Sequence, residues 1–316
     1  QQVFAFAPDT ESSYIYAGVA AETARVLETY DRERADEYRA SAEAAMRWAE
    51  AHPVEDDDDD DDGDDDVTEL RATAAAALYR LTGDPRWQDV FVESTPFEDE
   101  PVDLLGCEPH KLCDAAWIYA NTEQPTVRAD VKANVVESFR RNADALVDAQ
   151  DSTLFGWSME HPAVPLVWGL GPSVPKTVGL LRGYALTGDD RFCRAALRSA
   201  TFSLGANPLD TVFLTGIGTQ NVRHPLIVDT IAGGLPVWPG TPVYGLHRLN
   251  EVADESWVAQ FLLRPAGATP DPESVPYLQS WWDMSNIPMM NEFTVHQSHA
   301  AALYAYGSLA GLSCGR

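Results

Sequence analysis

The chain has 316 residues, with 49 acidic against 22 basic side chains, a formal charge of −27, 45% apolar residues and nine tryptophans. That apolar share supports a buried core and excludes a globally disordered acidic polymer. The charge disfavours nucleic acid as a partner, because a polyanion is held by lysines and arginines that displace its counterions. An anionic membrane surface is disfavoured for the same reason, and no run approaches the roughly 18 apolar residues of an inserted helix.

Only Lys111, Lys132 and Lys176 are lysines, which leaves nineteen arginines. Few lysines and many aspartates fit a protein kept soluble in a salty medium, where screening relieves self-repulsion. An arginine-preferring genome and an ordinary acidic exported enzyme fit equally well. The first residue is Gln1, which reads as the product of processing or as the start of a fragment of a longer polypeptide. Cysteines at 107, 113, 193 and 314 include no C-x-x-C pair and no cysteine-histidine series, against a structural zinc site. Cys107 and Cys113 are spaced to close a short loop if the chain is exported; four small buried thiols are the alternative.

In chain order, helices are expected over residues 10–30 and 31–51, the second stopped by Pro53. Residues 55–66 hold eleven acids and one glycine, a like-charge run expected to form a solvated loop. Calcium is the alternative there, since the run supplies oxygen ligands, although its spacing matches no EF-hand. No other cofactor is expected. Helical pattern resumes over 67–82 and ends in Leu81-Thr82-Gly83-Asp84, followed by Arg86-Trp87. A second copy, Leu186-Thr187-Gly188-Asp189, precedes Arg191-Phe192. In each, the glycine is expected to end one helix, the aspartate to cap the next and the arginine-aromatic pair to open its buried face. Further helices are expected over 114–121, 127–149, 173–187, 191–204 and 291–312. Between 205 and 250 glycine, proline and aromatics replace helical composition, marking a long loop of functional character. No strand pattern stands out, so the expected fold class is all-α, an incomplete α/α toroid treated as one domain over 1–316.

Among chemistry-bearing residues, Asn291-Glu292 stands at the entrance of the last predicted helix, with Glu292 in its first turn, where the helix dipole favours the ionised form. Burial beside Trp281, Trp282, Met289 and Met290 opposes that by desolvation, and a carboxyl under two opposing pulls suits a general acid. A plain acidic first-turn residue is the alternative. His296 and His299 would share the Glu292 face of such a helix. A metal set is disfavoured because the H-E-x-x-H pattern and a second carboxylate are absent. Trp157, Trp168, Trp238, Tyr244, Trp281 and Trp282 fall at loops or helix ends, where aromatic faces can stack on sugar rings; core packing is the alternative for about half of them. Nucleophile elbows, phosphate loops and dinucleotide fingerprints are absent.

Several stretches together resemble glycoside hydrolase family 9, the inverting endoglucanases and their relatives. Trp168-Gly169, Leu186-Thr187-Gly188-Asp189 and Leu204-Gly205-Ala206-Asn207-Pro208-Leu209 are similar to its W-G-S-N, L-T-G-D and L-G-x-N-P-L series, in order. Phe213-Leu214-Thr215-Gly216-Ile217-Gly218 resembles its F-V-T-G-F-G, and Asn291-Glu292-Phe293 its closing N-E motif. The resemblance implies an (α/α)6 barrel, a β-glucan-like carbohydrate substrate and Glu292 as proton donor. It also implies a sugar cleft drawing on Arg223, His224, Tyr244, Trp282, His296 and Trp168, while the acidic, lysine-poor surface bears on an extracellular or cell-surface location. Two departures stand out. The family's P-H-H-R stretch is replaced by Arg223-His224-Pro225-Leu226, and its D-A-G-D segment, which holds the catalytic base, is absent. About eight helices against a barrel's twelve imply that N-terminal helices are missing, or that a partner chain completes the barrel. A non-catalytic carbohydrate-binding or cell-surface protein that keeps the toroid is the alternative function.

Overall fold

The computed structural model describes residues 7–53, 63–104, 111–158, 176–247 and 258–314. They form two compact units, Gln1–Arg141 and Asn142–Arg316. Among the described residues the only extended pairing consists of isolated bridges, Leu204 with Val212, Val212 with Asn221 and Leu214 with Pro242.

The first unit contains α1 (Thr10–Leu27), α2 (Arg32–Ala51), α3 (Gly63–Thr82), α4 (Pro85–Glu93) and α5 (Leu112–Ala120), and the start of α6 (Ala129–Asp151). Its axis is α3, which packs against α1, α4 and α5. The run Ala74 to Tyr79 on α3 is fully buried. Such small side chains let helix backbones approach closely: a Cβ on Gly18 of α1 would stand 3.5 Å from the Ala74 Cα. Phe91 stacks on Tyr119 with ring centres 4.2 Å apart. The buried amide of Gln88 joins three segments, accepting from the Tyr119 hydroxyl and the Arg128 amide and donating to the Thr126 carbonyl. The acidic run departs from expectation at its end, because residues 63–66 are the first turn of α3. Residues 54–62, and with them most of the calcium alternative, lie outside the described residues; among those described, no group of three or more His, Cys, Asp or Glu could hold a metal.

The second unit holds the rest of α6, with α7 (Thr177–Thr187), α8 (Asp190–Ser203), α9 (Val228–Gly233), α10 (Pro288–Asn291) and α11 (Ala300–Gly311). Leu146, Leu180, Phe192, Ala196, Ala302 and Ala305 form one core between α6, α7, α8 and α11. The disulfide Cys193–Cys314 ties the tail after α11 to α8. Cys113 is disulfide-bonded as well, and no cysteine is free among the described residues. The repeated helix ending is built alike in both units. Gly83 and Gly188 each take φ +70°, while Asp84 and Asp189 accept from Arg86 and Arg191 amides at 3.1 and 2.9 Å. The guanidinium of Arg86 lies 4.2 Å from the Trp87 ring centre, and that of Arg191 5.2 Å from Phe192.

Candidate functional site

The loop after α8 is organised by Asn207. Its amide nitrogen donates to the carbonyls of Phe202 and Thr211 at 2.6 and 2.8 Å, and its oxygen accepts from the Leu209 and Thr211 amides. This satisfies a buried amide completely and bends the chain into the stretch 212–222. That stretch runs beside 238–243 through Thr215 N to Thr241 O and Val243 N to Phe213 O. Gly216, at φ +65°, is required where the two segments meet, because a Cβ there would stand 2.8 Å from Pro239 Cβ.

Both segments deliver residues to the N-E motif. The Leu226 amide donates to the Asn291 carbonyl at 2.7 Å, Tyr244 N to the Glu292 carbonyl at 2.9 Å, and Gly245 N to the Met290 carbonyl at 2.8 Å. The Asn291 side chain, fully buried, donates to the carbonyls of Trp282 and Met284 at 2.7 and 2.9 Å. Between those two residues, Asp283 receives the amides of Arg223 and His224, one on each carboxylate oxygen, both at 2.8 Å. The His224 Nδ1 lies 3.4 Å from the same carboxylate. The arrangement brings Glu292, Tyr244, Arg223 and His224 onto one framework, with Glu292 partly exposed and Arg223 and His224 exposed. Burial pushes the Tyr244 phenol up; its hydrogen bond with Thr294 works against that, and the neighbouring Glu292 carboxylate adds to it.

Glu292 is not in the first turn of a long helix: it follows the four-residue α10 in an extended conformation, with φ −80° and ψ 173°. A π-helical turn, Val295–His299, then leads into α11. The carbonyls of Met290, Asn291 and Glu292 are taken by amides from distant segments, so the chain leaves the helix there and the dipole argument does not apply. Glu292, His296 and His299 therefore share no helix face, and His299 instead meets the Phe293 ring edge-on at 4.8 Å. Trp282 is 8% exposed and belongs to an apolar cluster with Val258, Ile287 and Met290, its indole nitrogen donating to Thr269 O. Its ring packs in that cluster with Met289 and Met290 of α10. Trp157 is likewise buried, against Phe202, whereas Trp238 is 73% exposed. Trp168, the side chain of His296 and Cys107 lie outside the described residues. Asp283 was missed because its role depends on contacts with residues 59 and 60 positions away. The adjoining Trp281-Trp282 pair is its only local signal.

Residues 2–227 match the model of glycosyl hydrolase family 9. Endoglucanase C of Cellulomonas fimi is 27% identical over 314 residues, covering 94% of this chain and 27% of that protein. A xyloglucan-specific endo-β-1,4-glucanase of Bacteroides ovatus is 22% identical over 244 residues, covering 71% of this chain and 41% of the relative. A single mutant of the thermostable endoglucanase from Alicyclobacillus acidocaldarius superposes with a TM-score of 0.74 at 24% identity, covering 94% of this chain and 55% of that one. The chain thus spans well under two thirds of the length of each. The structural likeness establishes the fold as all-α, of the (α/α)6 barrel class. On the extent of the family match, this chain belongs to glycosyl hydrolase family 9.

Proposed function

We propose that the protein acts as the acid-bearing part of an inverting glycoside hydrolase on β-glucan-like polysaccharide, and that residues 1–316 belong to one catalytic domain. The observation that carries this reading is the Glu292 carboxylate, partly exposed beside Tyr244 on the same hydrogen-bonded framework that presents Arg223 and His224. In this role Glu292 protonates the leaving glycosidic oxygen. A second carboxylate activates water on the opposite face of the sugar, the pair standing roughly 6.5–9.5 Å apart as inversion requires. No D-A-G-D segment occurs in residues 1–316, so the base is assigned to further polypeptide or to a partner chain. The similarity to an endoglucanase and to a xyloglucan-specific endo-β-1,4-glucanase supports a β-1,4-linked glucan as substrate. The absent D-A-G-D segment is also what favours the second reading, a carbohydrate-binding protein without turnover. Disulfide bonding at Cys113, Cys193 and Cys314 supports an extracellular or cell-surface setting, and the acidic, lysine-poor composition supports a salty one.

The test is Glu292→Gln in the intact polypeptide. Reducing-sugar release from a β-glucan panel is expected to vanish while binding to the same glucans persists. Undiminished hydrolysis by the variant removes Glu292 from the role, and glucan binding without hydrolysis by the unmodified protein favours the second reading.

A further inference from the structure

We infer that Trp238 is a sugar-stacking platform, its exposed indole receiving the flat face of one ring of a glycan chain that runs from it toward Glu292. The inference rests on the carbohydrate reading above.

Large aromatic side chains ordinarily supply core contacts, and Trp87, Trp157 and Trp282 do so here. Trp238 is the only exposed tryptophan among the described residues, with 73% of its surface open to solvent. The turn beneath it is fastened from the core. Thr215, itself buried, directs all its polar groups at residues 238–241. Its amide donates to the Thr241 carbonyl at 2.9 Å, and its carbonyl accepts from the Gly240 amide at 2.7 Å. Its hydroxyl donates to the Trp238 carbonyl and accepts from the Thr241 amide at 2.9 Å. Pro239 closes against Gly216, and Pro236 and Pro239 fix φ on either side of the indole. The backbone is therefore held rigidly while the ring it carries stays in water. Such preorganisation lowers the ordering cost of binding. An indole offers a flat apolar face with one N–H at its edge, a match for the C–H face and rim hydroxyls of a sugar.

The same segment leads to the candidate acid, because Tyr244, six residues on, donates its amide to the Glu292 carbonyl. Six residues span at most about 20 Å, so an oligosaccharide of several rings reaches from the platform to the acid.

The test uses the full chain. Trp238→Phe keeps a smaller flat ring, and Trp238→Leu keeps apolar bulk without one. Affinity for cellohexaose is measured by calorimetry, alongside melting temperature and sedimentation. Trp238→Leu is expected to weaken binding about tenfold and Trp238→Phe less than about threefold, in keeping with what an aromatic contact adds beyond its area. Both variants are expected to melt and sediment like the unmodified protein. The blue shift that cellohexaose induces in tryptophan emission is expected to be largely lost in Trp238→Phe, although that variant still binds. Undiminished affinity in Trp238→Leu overturns the inference, as does an equal loss in both variants or a loss that accompanies a lowered melting temperature. A changed oligomeric state in Trp238→Leu overturns it too, and marks the indole as a contact between protein chains. If the unmodified protein binds neither cellohexaose nor a xyloglucan oligosaccharide, the carbohydrate reading falls and takes this inference with it, an outcome distinct from a defect confined to Trp238 variants.

Discussion

The amide of Tyr244 donates to the carbonyl of Glu292 at 2.9 Å, which anchors the tyrosine backbone directly beside the candidate acid. The phenol bonds Thr294, two residues further along the chain. Tyr244→Phe preserves the ring and the backbone bond but removes the hydroxyl. Stability is expected to fall by about 1 kcal/mol, the usual net worth of one such hydrogen bond. Urea unfolding checks this, and an unchanged midpoint would show the Thr294 bond to be dispensable.

In the first unit, Arg71 clamps Glu50 through two bonds at 2.7 and 3.1 Å and also reaches Glu93 and Ser94, while Tyr14 donates to Glu50. Partial burial raises the Glu50 carboxyl, but the hydrogen bonds from Arg71 and Tyr14 outweigh it and leave the group below its usual range. Arg71→Met strands that carboxylate, at an expected cost of about 2–3 kcal/mol. Arg71→Lys is expected to recover only part of the loss, because an ammonium cannot match the two-pronged fork. Full recovery in a denaturant titration would contradict this. Since the Glu50 carboxyl is lowered, its contribution is present above the ordinary carboxylate range and is lost on acidification below it.

Alkaline pH acts through buried phenols. Burial is the main cause raising Tyr14, Tyr119 and Tyr306, the last to about 12. A raised phenol stabilises the fold fully below the unfolded value of about 10 and loses that contribution as pH climbs from there through the folded value. The melting temperature is expected to drop between about pH 10 and 12. Tyr306→Phe should make that drop shallower, and an identical profile for the variant would rule Tyr306 out as a contributor.

The Cys193–Cys314 bond closes a loop of sequence separation 121. Cross-links over such spans stabilise by roughly 4–5 kcal/mol, chiefly by restricting the unfolded chain. Cys314→Ser is expected to lose most of that and to free the tail that follows α11. Denaturant unfolding with proteolysis of the tail reads both effects, and an unaltered midpoint would remove the disulfide from the list of stabilising features.

The order of helices was legible in the sequence wherever local signals set it. The paired Leu-Thr-Gly-Asp endings are the clearest instance: a left-handed glycine, an aspartate cap and an arginine over the next aromatic are all settled within a few residues. Trp282 marks where such reading stopped, because an aromatic at a loop reads equally well as a sugar platform or as core, and only its packing with Met289 and Met290 of α10 decided for core.

What the sequence by itself determined, then, was the all-α character, the boundaries of α1, α2, α3, α5, α6, α7 and α8 to within a few residues, and the motifs that place this chain in its family. Only the tertiary structure decided that the last predicted helix breaks at Glu292, that Asp283 holds Arg223 and His224, and that Cys193 meets Cys314. The physical reason is the same in each case. Caps, glycines and apolar periods act over one or two turns. The carbonyls of residues 290–292 and the Asp283 carboxylate instead find their partners across dozens of residues, and those long-range bonds override local helix propensity.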